Sequence, residues 1–154
     1  GGNQDEDDDD DLGMRRKEVA NVPAPVLTAE ENNRRWTTPS SVVGQEEWYQ
    51  NGKRLFVSKC AGCHAAGATT TYKRATLFRD DLERNGYLDT EKMMRLLKYG
   101  AKRPKLAGMP GFAVDCSRVV EYTKCGVTQP LTDASLKDVA DFVYSRANEN
   151  WSGR

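Results

Sequence analysis

Long apolar runs are missing from this sequence: nowhere do more than a few hydrophobic residues follow one another. That excludes a transmembrane helix and the apolar segment of a signal peptide, and no membrane span is expected. Histidine is nearly missing too. The single one, His64, leaves no material for a histidine-rich metal centre. Net charge is also lacking, since 23 basic residues balance 23 acidic ones, and no nucleic-acid partner is expected. Hydrophobic content of 38% and charged content of 30% fit a modest soluble core. The 154 residues suffice for one ordinary domain, or a smaller one with tails. The chain opens on Gly1-Gly2 without methionine, which reads as a processed form.

The zero balance conceals an asymmetry. Seven of the 23 acidic residues stand together at positions 5–11, so the rest of the chain carries a net +7. Such a block is ordinarily solvated and disordered; it could instead fold over the basic body or meet a basic partner. From Leu12 to Val43 no hydrophobic period is sustained, and Pro23, Pro25 and Pro39 interrupt the chain. Residues 1–43 therefore read as an acidic, proline-containing, mostly disordered arm. Val22 to Leu27 could lie as an extended strip, and Thr28 with Glu31 has the form of a capping box for one short helix. The domain proper is expected over residues 44–154.

What the chain does contain is Cys60-Ala61-Gly62-Cys63-His64. Two thiols two residues apart, followed at once by an imidazole, suit covalent attachment of a c-type haem. The thiols reach two vinyl groups on one porphyrin edge, and His64 is placed as proximal iron ligand. A zinc half-site would need a second pair at short spacing and usually more histidine. A thioredoxin-like redox pair would sit between a strand and a helix. A bound porphyrin also brings apolar surface of its own to a small core.

Helical periodicity places a first helix from Gln45 to about Lys59, burying Trp48, Tyr49, Gly52, Leu55 and Phe56. Gly52 is costly within a helix and calls for a packing reason, the close approach of another helix. A loop follows His64. A short helix from about Leu77 to Asn85 ends at Gly86, and Asp89 caps another from Thr90 to about Tyr99, ending at Gly100. Ala101 to Phe112 reads as a basic loop running into Met109-Pro110-Gly111. An electron-transferring haem iron commonly takes a methionine sulfur as its sixth ligand. Met14 lies in the arm, and Met93 and Met94 lie in a helix. Met109 sits in a loop held extended by Pro110, between glycines that let the chain approach a porphyrin. A lone methionine is otherwise core filler. A last helix begins at the cap Thr132 and runs to about Asn148, with Leu136, Val139, Ala140, Phe142 and Val143 as its apolar face. Val139 and Phe142 are expected against Gly52 and Phe56, with Trp151 closing one end of the core.

Cys116 and Cys125 remain. A disulfide across so short a loop contributes about 2–3 kcal/mol in the chain-entropy account, and haem is attached where disulfides persist. A structural staple, a redox-switching bridge and two free thiols all stay open.

Taken in order, these residues resemble the class I c-type cytochromes, and within them the cytochrome c6 family. The resemblance runs from about Gly44 to Trp151. It rests on Gly52-Lys53-Arg54-Leu55-Phe56 before Cys60-Ala61-Gly62-Cys63-His64, then Leu82-Glu83-Arg84-Asn85-Gly86, Met109-Pro110-Gly111-Phe112, and Val139-Ala140-Asp141-Phe142-Val143 leading to Trp151. It implies an all-α fold of about four helices around one haem, thioethers at Cys60 and Cys63, and iron ligands His64 and Met109. It also implies electron shuttling in the thylakoid lumen, from a cytochrome bf-type donor to a photosystem I-type acceptor. The chloroplast lumen is then the expected location, with the mitochondrial intermembrane space and bacterial periplasm as alternatives. The chain departs from the family at Leu96, where a glutamine often stands near the haem; losing that donor would lower the potential. The insertion between Cys116 and Cys125 is similar in place to that of cytochrome c6A. The Ala101–Ala107 loop and the long arm have no counterpart in compact carriers.

Two functions follow. One is a diffusing one-electron carrier whose contacts are small, transient and steered by charge. The other is a fixed haem-bearing subunit of a photosynthetic or respiratory membrane complex, anchored by its arm and insertions. An enzyme is not expected, because a peroxidase needs an open iron site and Met109 would close it.

Overall fold

A computed structural model describes residues 19–103, 106–120, 124–126 and 129–152, with the backbone alone at residues 103, 106 and 107. The described elements are α1 (Ala29–Thr37), α2 (Ser40–Val43), α3 (Glu47–Lys59), α4 (Ala61–His64), α5 (Arg79–Arg84), α6 (Thr90–Tyr99), β1 (Ala101–Arg103), β2 (Leu106–Met109), α7 (Cys116–Val119) and α8 (Asp133–Asn148). A 3₁₀ turn, Ala65–Gly67, follows α4.

The core forms where α3 crosses α8. At Gly52 an added Cβ would lie 2.3 Å from the Asp138 carbonyl oxygen and 2.8 Å from Phe142 Cβ. The missing side chain is what lets the two backbones touch. Around that point Tyr49 and Phe142 meet edge-on at 5.1 Å, and Phe56 and Phe142 lie 5.5 Å apart. Trp151 closes the lower end of this cluster, 5.2 Å from Phe56, and its indole N–H donates to the Leu77 carbonyl at 3.0 Å.

Local chemistry fixes most helix ends where the sequence places them. Asp89 Oδ1 accepts from the amides of Glu91 and Lys92 at the start of α6, and Thr132 Oγ1 accepts from Ser135 at the start of α8. Thr28 Oγ1 likewise accepts from Glu31 N, 3.0 Å away, at the head of α1. Two helices are shorter than their periodicity suggests. α3 starts at Glu47, because Glu46 is extended and its carboxylate takes the Trp48 indole N–H. α5 starts at Arg79, because Leu77 is drawn away: its amide donates to Gly67 O at 2.7 Å.

The stretch from Ala101, read as a basic loop, instead forms an antiparallel hairpin pairing Ala101 with Met109 and Arg103 with Leu106. It is the one two-stranded sheet among the described residues, in a fold otherwise helical.

The arm departs furthest from its sequence reading. Residues 1–18, the acidic block and Met14 included, lie outside the described residues. Residues 29–43, expected to be mostly disordered, are helical and docked along α8. The reason is Asp141, which is wholly buried and cannot stand unpaired. Its carboxylate accepts from Arg35 Nη1 at 2.9 Å, Trp36 Nε1 at 2.7 Å and Lys137 Nζ at 2.9 Å, and two of those donors come from the arm. Farther up the arm, Asn21 Oδ1 and the Val22 carbonyl accept from the Asp133 and Ala134 amides, capping α8. At the other end Ser40 N donates to Glu149. The arm therefore follows α8 along its whole length, and a boundary of order at residue 44 does not hold.

Candidate haem-binding site

The crossing of α3 and α8 leaves an open apolar space on one side, bounded by α4, α5, α6 and the end of β2. This cavity, of about 220 Å³, is lined by Cys60, Cys63, His64 and Met109, and its apolar wall includes Leu77, Leu82, Met93, Leu96 and Phe112. The lining is predominantly apolar, which suits a large apolar occupant.

The Cys60-Cys63-His64 group sits at the mouth. α3 ends at Cys60, and the short helix α4 takes up Ala61–His64, with Cys63 N and His64 N donating back to the Cys60 carbonyl. One helical turn thus brings both sulfurs and the imidazole to the same rim. His64 Nδ1 is bonded to the Ala68 carbonyl at 2.8 Å. With Nδ1 engaged, Nε2 is the ring nitrogen left to a metal, and the backbone partner fixes the ring's orientation. Burial pushes the Cys60 thiol up to about 11, while Cys63 is exposed.

Met109 reaches the same cavity from a separate part of the chain, and its loop is pinned against the end of α6. Phe112 N donates to Leu97 O and Ala113 N to Lys98 O, both at 3.0 Å. Gly100 adopts φ +76°, and an added Cβ there would meet the Met109 carbonyl oxygen at 2.2 Å. Only glycine permits that closeness, so the end of α6 sets the position of Met109.

Cys116 and Cys125 are joined in a disulfide. The returning leg lies beside the methionine loop: Gly111 N donates to Lys124 O, and Gly126 N to Gly111 O. The bridge thus braces the segment just after Met109. The sequence places Leu96 near the haem, and it lies on the cavity wall. Leu77, Tyr72 and Tyr87 are lining residues that periodicity did not single out. The only hint of Tyr87 in the sequence is an aromatic residue directly after a helix-ending glycine.

The residues fit a covalently held haem. Two thiols and an imidazole share one rim, a thioether lines the same space, and the wall between them is apolar. His64 with Met109 would hold the iron, and Cys60 with Cys63 the porphyrin edge.

Comparison with known proteins agrees with that fit. The family model described as cytochrome c oxidase, cbb3-type, subunit III matches residues 47–120. A chloroplastic cytochrome c6 of Arabidopsis thaliana is 35% identical over 113 residues, covering 73% of this chain. The match spans 60% of that relative's own length. Cytochrome c6 of Bumilleriopsis filiformis is 30% identical over 102 residues, covering 66% of this chain and 95% of that protein. Among solved structures, oxidized cytochrome c6A from Arabidopsis thaliana superposes with a TM-score of 0.62 at 34% identity, over 71% of this chain and all of that one.

Proposed function

From the premise that this chain belongs to the cytochrome c6 family and carries one covalently attached c-type haem, we propose that it is a one-electron carrier with His64 and Met109 as axial ligands. The observation that carries this reading is the convergence of Cys60, Cys63, His64 and Met109 on one apolar cavity. When bound, the haem supplies an iron that cycles between ferrous and ferric states.

The chain's own residues do the rest. Cys60 and Cys63 would hold the porphyrin edge through thioethers. Ala68 orients His64, and the loop pinned by Gly100 presents Met109. A ligand set fixed in this way changes little between oxidation states, which suits rapid electron exchange. Leu77, Leu82, Met93 and Phe112 keep water from the iron, and their low polarity favours the less charged ferrous state. Leu96 offers no hydrogen-bond donor, so a midpoint below that of a carrier with a donor at this position belongs to the proposal.

The arm favours a carrier over a fixed subunit. Asn21, Arg35, Trp36 and Ser40 spend hydrogen-bonding groups on α8 and its C-terminal cap in the same chain. No helix among the described residues is long and apolar enough to cross a membrane. The thylakoid lumen, with a cytochrome bf-type donor and a photosystem I-type acceptor, is the setting proposed from the family.

An optical redox titration of protein matured with attachment machinery tests the proposal. The expected result is a single, reversible, low-spin transition with haem retained under denaturing conditions. Protein without covalent haem, or an iron that binds exogenous ligands freely in both states, would overturn it.

A further inference from the structure

Trp36, in the last turn of α1, has its ring 4.8 Å from that of Tyr144, centroid to centroid. Tyr144, on α8, is buried, and its hydroxyl donates to the Tyr87 carbonyl oxygen. Tyr87 lines the haem cavity. These three aromatic residues link the arm, on the outer side of α8, to the cavity wall.

The wall segment is also held locally, by Leu82 buried in the core and by Asn85 Nδ2 donating to the Arg74 carbonyl at 2.8 Å. Leu82 to Tyr87 is the end of α5 and its turn, closed by Tyr87 N donating to Leu82 O at 2.8 Å. On the other side Lys92 Nζ lies 5.6 Å from the Tyr87 ring centroid. The Tyr144 hydroxyl ties the α3–α8 core to this turn by a hydrogen bond, and Trp36 covers the Tyr144 ring from behind. Trp36 is held in turn by Asp141 through its indole N–H.

We infer that Tyr144, buttressed by Trp36, is a positioning residue for the Tyr87 wall of the cavity, so that the docked arm sets the surroundings of the redox centre from the far side of α8. This rests on the haem reading of the cavity. Neither Tyr144 nor Trp36 lines that cavity; both act through Tyr87. With the Tyr144 hydroxyl gone, the Tyr87 carbonyl loses its donor and water takes that place behind the Tyr87 wall. A wetter wall favours the more charged ferric state, so the midpoint moves down.

The test uses full-length holoprotein with Tyr144→Phe, Trp36→Leu and the ring-conserving Trp36→Phe. Haem content of the unaltered protein is measured first; absence of covalent haem there sinks the functional proposal. With haem attached, the midpoints of Tyr144→Phe and Trp36→Leu are expected to shift downward together, while Trp36→Phe, which keeps a ring against Tyr144 but loses the indole N–H to Asp141, shifts less. Amide hydrogen exchange is expected to accelerate in the 82–88 segment of both shifted variants, with no change in α3. Unchanged midpoints in haem-loaded Tyr144→Phe and Trp36→Leu would overturn the inference. So would acceleration spread evenly over the whole protein, which marks general destabilisation. Should Tyr144→Phe fail to mature, Trp36→Leu, remote from the cavity, decides by itself.

Discussion

At Gly52 a single methyl group would stand 2.3 Å from a backbone oxygen of α8. Alanine ordinarily favours a helix over glycine by about 1 kcal/mol, while forcing a methyl group into a packed contact costs about 1–3 kcal/mol. The clash here is with backbone, which cannot rotate aside, so the steric cost wins. Gly52→Ala is expected to lower stability by about 1–2 kcal/mol in chemical denaturation, and a rise in the midpoint would contradict the helix crossing. A second residue-scale effect is electrostatic. The Arg34 guanidinium, bonded to Glu46 at 2.7 Å and 2.9 Å, pulls that carboxyl from its ordinary 4.5 down to about 2. A group with a lowered folded pKa stabilises above its unfolded value and loses that contribution as pH falls through the folded one. The pair is partly exposed, which limits the contribution to about 1 kcal/mol or less. Glu46→Gln should therefore lower stability at neutral pH and flatten its decline between pH 4.5 and 2, as followed by denaturation at stepped pH.

Among elements, the loop closed by Cys116 and Cys125 is the one most exposed to redox conditions. Its nine-residue separation gives a chain-entropy contribution of about 2–3 kcal/mol. Replacing both cysteines by serine is expected to lower the thermal midpoint by several degrees. Because the returning leg is hydrogen-bonded to Gly111, the loss should be accompanied by faster amide exchange at 111–113; protection unchanged there would show that the bridge does not brace the methionine loop. The hairpin β1–β2 shows why some elements escape a reading of the sequence. Its pairing is supported by the Gly100 and Gly111 contacts at the end of α6, whereas Ala101-Lys102-Arg103 and Leu106-Ala107-Gly108-Met109 carry no strand period.

At the scale of the whole molecule, residues 19–43 and the domain pack as one unit. Asp141 is wholly buried, with Lys137 beside it and Arg35 reaching it from α1. Removing one partner of a buried charge network leaves the others uncompensated, at a cost of about 3–5 kcal/mol. Asp141→Ala is expected to fall in that range by urea denaturation and to release α1, seen as a change in Trp36 fluorescence. A loss under about 1 kcal/mol with α1 still docked would mean that apolar contact, not the ion network, holds the arm.

The helix caps at Thr28, Asp89 and Thr132 and the spacing of residues 60–64 were all legible in the sequence. Each is a short-range matter: a side chain satisfying a backbone amide two or three residues on, or two sulfurs one helical turn apart. Even the crossing of Gly52 with Phe142 could be read, since a glycine inside an apolar stripe implies a close neighbour. Asp141 could not be. In a helical pattern a carboxylate reads as a solvent-facing residue, and nothing local tells that Arg35 and Trp36, more than a hundred positions earlier, will pair with it. The sequence by itself determined the cofactor chemistry and the helices that carry it, because those depend on spacing along the chain. Only the tertiary structure decided that residues 19–43 are part of the domain, because a buried charge is tolerated only where distant donors are brought to it.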